Sequence, residues 1–184
     1  MKDTKLHLGD FTNSSKNEVI PKYYGEALCE IASLDSNVVA LCADVAPPTE
    51  TDIFRDKFPD RYHMTGIAEA NMIGLSSGMA RMGEIPFVHS FCVFITRRAY
   101  DQVAMQVAYP KTNVKLIGFL PGVTTLLGVS HQAIDDIALM RALPNMCVIE
   151  PSGPEQVSSA VKAIYDYNGP VYMRLNRASS RVNE

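Results

Sequence analysis

No excess of basic residues, no CxxC pair, no long apolar run and no low-complexity stretch occurs in this sequence, and each absence closes off a class of function. Lys and Arg number 17 against 20 Asp and Glu, for a formal net charge of −3, so neither a nucleic-acid surface nor a basic membrane-binding face is expected. No window of about 18 apolar residues is present, so no spanning helix is expected. The opening residues, MKDTKLHLGDFTNSSKNE, are polar and lack the apolar core of a secretory leader, which reads as a soluble, cytoplasmic protein. Cys29, Cys42, Cys92 and Cys147 each lie in an apolar stretch, and none has a histidine at metal-ligand spacing. They read as small buried residues in a reducing compartment, with no metal site.

What is present is enough for a core: 184 residues, 47% of them hydrophobic, which is one ordinary domain. Residues 1–20 read as a loosely packed N-terminal arm and 21–184 as the domain. Helical spacing of Tyr24, Ala27, Leu28, Ile31 and Leu34 predicts a helix over 22–34. NVVALCAD, 37–44, predicts a strand covered on both faces. A short helix over 50–57, a strand near 62–65, a helix over 68–82 ended by Gly83, and a strand over 85–90 follow. Then come a helix over 92–108, a strand over 114–120, a helix over 132–142 and a strand over 146–151. Ser152 reads as the cap of a helix over 153–167 with Glu155 at its third position, and 169–175 is the last strand. The alternation predicts an α/β fold: a doubly wound, mainly parallel sheet of about six strands with helices on both faces. Ligands of such sheets bind beyond the carboxyl ends of the strands, which selects the loops at 43–49, 65–69, 89–94, 119–131 and 150–154.

Glu69 opens the 68–82 helix directly after a short strand. Position alone does not separate a functional carboxylate from one that complements the helix dipole, an effect of about 0.3–1 kcal/mol. The helix behind it is rich in small residues, with Gly74, Ser76, Ser77, Gly78, Ala80 and Gly83. Interior glycine costs roughly 0.8–1 kcal/mol relative to alanine, so a close neighbour is expected, either the sheet of the same chain or a second subunit. In SFCVFITRRAYDQ, Phe91 and Phe94 share a helical face at a strand's carboxyl end, where two aromatics can sandwich a flat heterocycle or simply pack in the core. Arg97 continues that face and Arg98 lies beside it. His131, in GVSHQ, sits in a loop before a helix at the same end, while His63 and His89 read as structural.

Taken in order, GIAE, the small-residue helix, SFxxF, RAYDQ, HQ and RALPNMxVxxP resemble the central pyrimidine-binding domain of the transketolase family over about 20–177. The style is most like the C-terminal subunit of split bacterial enzymes. The resemblance implies a thiamine-diphosphate-dependent transfer of a two-carbon ketol unit between sugars. It implies that Glu69 is catalytic, bonding a ring nitrogen of the cofactor's aminopyrimidine, and that Phe91 and Phe94 pack on that ring. Arg97 falls at a further pocket position. His131 matches a catalytic, substrate-facing histidine, Asp44 an acidic residue near the cofactor pocket, and Arg177 a sugar-phosphate contact.

The family's diphosphate-binding domain carries a GDG motif and a following Asn, and this sequence has neither at that spacing. The resemblance therefore implies that Mg²⁺ and the diphosphate are held by a partner chain, an N-terminal transketolase subunit, in a homodimer or heterotetramer, and that this chain is inactive alone. A full C-terminal subunit also carries a third domain, so this sequence matches either a truncated piece or a short gene product. Leu120 stands where a substrate-facing histidine often sits, Leu126 and Leu127 replace an acidic pair, and Pro48 takes a position that is often serine. A more apolar pocket entrance, and substrates other than the standard phosphosugars, are expected. Two further readings stay open: a 2-oxo-acid dehydrogenase beta chain, and a non-catalytic interaction module of the same fold.

Overall fold

A computed structural model of the chain describes residues 21–176. The N-terminal arm, residues 1–20, and Arg177 lie outside the described residues. Six parallel strands form one sheet in the order β2-β1-β3-β4-β6-β5: β1 Val38–Cys42, β2 Tyr62–Met64, β3 Ile85–Phe91, β4 Lys115–Phe119, β5 Cys147–Ile149 and β6 Val171–Leu175. β1 and β4 are buried along their whole length, as near-continuous apolar runs in a two-sided parallel sheet must be. The edge strands β2 and β5 are short and only partly covered, which limits the unpaired backbone each presents.

Helices cover both faces. α1, Tyr23–Leu34, packs against α6, Pro154–Asp166, and against α2, Asp52–Lys57. α3, Glu69–Arg81, packs against α4, which spans 94–108, and α4 against α5, Asp136–Arg141. Two glycines mark close approaches. A Cβ at Gly25 in α1 would lie 2.3 Å from the Glu50 carbonyl oxygen, so α1 and the segment leading to α2 meet backbone to backbone. A Cβ at Gly118 in β4 would lie 2.8 Å from Cys92 Sγ and 2.9 Å from Tyr172 Oη.

The structure departs from the expected elements in three places. Ser152 does not cap α6: the cap is Gly153, in extended conformation, with Pro154 at the first helical position. Proline presets the helical φ there, which moves Gln156 rather than Glu155 to the third position. Gln156 Oε1 then accepts the Ser152 backbone N–H at 3.0 Å. α5 starts at Asp136 instead of near 132, because 129–131 form a short 3₁₀ turn and Gly122 and Ala133 pair as an isolated bridge. The helix expected over 92–108 is largely π-helical, with wide turns at Phe94–Arg98 and Val103–Ala108 around an α turn at Tyr100–Gln102.

Strand order reverses between β1 and β3, since β2 lies to one side of β1 and the chain then crosses to build outward from β3. The carboxyl end of β3 therefore borders the crevice in which a fold of this kind holds its ligand.

Candidate functional site

Glu69 is the first residue of α3 and is 1% exposed. Its two oxygens have separate donors: Ser90 Oγ, on β3, reaches Oε1 at 3.1 Å, and Arg98 Nη1, on α4, reaches Oε2 at 2.7 Å. A buried carboxylate is tolerated only when paired in this manner, and the two contacts fix its orientation. Gly66 turns the chain before it at a φ of +70°, and Ala68 N–H closes onto the Gly66 carbonyl at 2.8 Å. That turn lets a helix begin directly behind the short β2 strand.

Phe91 ends β3 and Phe94 opens α4, with ring centroids 6.1 Å apart. His131 packs edge-on to Phe94 at 5.0 Å and lies 6.2 Å from Phe91. The Arg98 guanidinium lies over the Phe94 ring, 4.1 Å from its centroid. Four of the residues singled out from the sequence, Glu69, Phe91, Phe94 and His131, thus fall into one constellation linked through Arg98. They come from three loops at the carboxyl end of the sheet. An acidic hydrogen-bonding group beside an aromatic face suits a flat nitrogen heterocycle, whose π-face stacks while a ring nitrogen meets the carboxyl.

Arg97 is not in this constellation. Its Nε lies 2.9 Å from both carboxylate oxygens of Asp135, and its Nη2 is 2.8 Å from Oδ1. Arg98, four residues on from Phe94 and so about one helical turn away, is the arginine that lies over its ring. Asp44 follows β1 in the left-handed region at φ 59° and is exposed, with no hydrogen bond or ion pair among the described residues. Leu120, likewise left-handed at φ 59°, is buried at the end of β4.

His131 is carried by a loop pinched at its base, where Gly122 and Ala133 exchange backbone hydrogen bonds of 2.8 and 3.0 Å. Thr125 is buried inside it, and Gln132 Nε2 reaches the Thr125 carbonyl at 3.4 Å. The outside is apolar: Val123, Leu126, Leu127, Val129 and Ile134 are all exposed. Asp136, where α5 starts, is held from β6 by Tyr172 Oη at 2.7 Å and by Arg174 Nε at 3.0 Å. Burial pushes the Cys92 thiol up to about 12, so although it sits between Phe91 and Phe94 in sequence it stays protonated and is no nucleophile. Among the described residues no group of three His, Cys, Asp or Glu is placed to hold a metal ion, and no helix is long and apolar enough to cross a membrane.

Two features escaped the sequence. Arg98 stood out in the sequence only as a neighbour of Arg97, although it lies four residues on from Phe94. Glu50 accepts the Tyr24 and Gly25 backbone N–H groups at 3.0 and 3.2 Å and so caps α1 from a distant loop. A cleft of about 370 Å³ lies elsewhere, between Tyr23, Glu50, Phe119, Glu150 and the start of α6, and none of Glu69, Phe91, Phe94 or His131 lines it. The cleft has its own buried carboxylate, Glu50, beside Tyr24 and Phe119, but the constellation is the one that gathers the residues singled out from the sequence.

The chain is similar to known proteins of one family. A family model described as transketolase, pyrimidine binding domain, matches residues 19–182. A protein of Methanocaldococcus jannaschii described as a putative transketolase C-terminal section is 42% identical over 162 residues, 88% of this chain and 51% of that protein. A 6-deoxy-6-sulfo-D-fructose transketolase subunit of Clostridium sp. is 44% identical over 155 residues, 84% of this chain and 48% of its own length. A solved structure titled as a split gene transketolase, an inactive beta4 tetramer, superposes with a TM-score of 0.76 at 42% identity, covering 85% of this chain and 50% of that one. The chain spans about half the length of the curated relatives it matches.

Proposed function

Because the chain belongs to the transketolase pyrimidine-binding domain family, we propose that it supplies the ring-holding half of a thiamine-diphosphate site in a ketol-transferring enzyme. The observation that carries the reading is Glu69, buried and aimed from a helix start into a slot walled by Phe94. What supports a flat ring there is that a planar guanidinium already makes both contacts, bonded to the carboxylate and lying over the aromatic face. When bound, thiamine diphosphate would supply the electron sink that carries a two-carbon unit from a ketose to an aldose.

Glu69 would hold a ring nitrogen and the proton shared with it, while Ser90 keeps the carboxyl from rotating. Phe91 and Phe94 would keep water from that hydrogen bond and the ring flat against the sheet's end. His131, edge-on to Phe94, would face the sugar. Asp44, Arg97 and Arg177 keep only the roles that the family resemblance implies. For Arg97 the ion pair with Asp135 favours a part in fixing the His131 loop instead of the ring.

The second half of the site belongs, in this reading, to an N-terminal transketolase subunit that carries the diphosphate and Mg²⁺. Its docking surface is the apolar rim: Met64 at the end of β2 and Ile67 beyond it, and Val123, Leu126, Leu127, Val129 and Ile134 after β4, are exposed at one end of the sheet. The substrate is a small sugar. The leucines in the His131 loop, and a relative named for a sulfosugar, favour substrates beyond the common phosphosugars. Both relatives described above are transketolase parts, which favours ketol transfer over oxidative decarboxylation. A cytoplasmic location is part of the same proposal.

The test is Glu69→Gln in the complex reconstituted with the partner subunit. The substitution keeps size and burial but removes the acid, so turnover of ketol transfer is expected to fall by about 10²–10⁴-fold with the melting temperature nearly unchanged. Unchanged turnover would remove the catalytic reading and leave an interaction module.

A further inference from the structure

We propose that Arg98 is a resident stand-in for the cofactor's ring: its guanidinium fills the space between Glu69 and Phe94 and leaves it when the ring enters. The inference rests on the reading that this slot takes an aminopyrimidine. One side chain makes both contacts that such a ring needs, a hydrogen bond to Glu69 Oε2 at 2.7 Å and a stack on Phe94 at 4.1 Å. A guanidinium can do so because it is planar, delocalised and edged with N–H donors. A carboxylate buried beside an aromatic face is costly when unpaired, so the slot without a ring needs an occupant of this chemistry.

The surroundings allow Arg98 to move and hold everything else in place. The Arg98 side chain is 42% exposed, while that of Glu69 is 2% exposed, so the arginine can swing into solvent and the carboxylate cannot follow. Ser90 still holds Glu69 Oε1 after Arg98 departs, which preserves the aim of the free oxygen. α4 itself is fastened on either side of Arg98: Arg97 binds Asp135, and Tyr100 Oη donates to the Leu139 carbonyl at 2.9 Å. The displacement is therefore confined to one side chain. A ring that lacks the hydrogen bond to Glu69 gains too little to evict the guanidinium, so Arg98 also selects for a ring that makes it.

An occupied slot lowers apparent affinity in proportion to the fraction of time it is closed. Removing the stand-in should raise affinity. The test is calorimetric titration of thiamine diphosphate, at saturating Mg²⁺, into the reconstituted complex carrying the parent chain, R98A or R98K. R98A is expected to bind about tenfold more tightly. R98K keeps an ion pair but cannot lie flat on Phe94, so it should fall between the two. Thermal melting checks that each variant folds, and if R98A does not, R98K decides alone. Binding by the parent with equal or weaker binding by the variants overturns this inference and makes Arg98 a positioning residue for Glu69. No binding by parent or variants overturns the thiamine-diphosphate reading itself, and this inference with it.

Discussion

His89 lies in β3 with no exposed surface, and burial lowers its pKa from 6.5 to about 4. Nδ1 donates to the Leu41 carbonyl at 2.9 Å and Nε2 accepts from Tyr24 Oη at 2.6 Å, so the ring is held neutral in one tautomer. The unfolded chain takes up a proton near 6.5 but the folded chain only near 4. Stability is therefore intact above pH 6.5 and declines as pH falls toward 4, by about 3 kcal/mol in all. Urea unfolding at pH 7 and pH 5 should show about 2 kcal/mol of that loss, and His89→Asn should flatten the difference. Equal pH dependence in parent and variant would show that another group is responsible. The sequence marked His89 as structural, and Glu69, Phe91, Phe94 and His131 as candidates at the sheet's carboxyl end, because in a parallel sheet that end of every strand lies on one side. It did not separate Arg98 from Arg97, since the two differ in tertiary partners, Glu69 for one and Asp135 for the other. Nor could it show that Lys115, inside the strand VKLIGFL, is fully buried and satisfied by the Asn113 side chain and the Gly169 carbonyl at 2.6 and 3.0 Å.

At the scale of elements, α3 answers the question its small residues posed in two parts. One part is internal: a Cβ at Gly74 would meet Gln106 Oε1 at 3.1 Å, and Ser77 Oγ donates to the Gln106 carbonyl at 2.6 Å, so α3 is narrow partly to let α4 approach. For Gly74 and Ser77 the close neighbour is thus the helix α4. The other part faces outward. Gly78 has nothing within 4 Å to clash with an added Cβ, and it lies between Leu75 and Met82, which are 44% and 86% exposed. These three fall on one helical face, which we read as a contact between copies of the chain. Glutamates at both Leu75 and Met82 are expected to leave a monomer in sedimentation where the parent chain associates. A parent chain that sediments strictly as a monomer would contradict this. Element identities were legible because strand and helix periods differ. The π turns of α4 were not, because 92–108 reads as ordinary helix.

At the scale of the molecule, the parallel six-stranded sheet collects every candidate loop at one end, and that end is apolar at its rim. On the proposed function, the carboxylate and rings here form half of a shared site. The most direct check is equilibrium dialysis of thiamine diphosphate with Mg²⁺ against this chain, its partner subunit, and the two mixed. The mixture should bind tightly, the chain alone should not, and Glu69→Gln in the mixture should weaken retention. Tight Mg²⁺-dependent binding to the lone chain, or retention by the mixture that ignores Glu69, would contradict it.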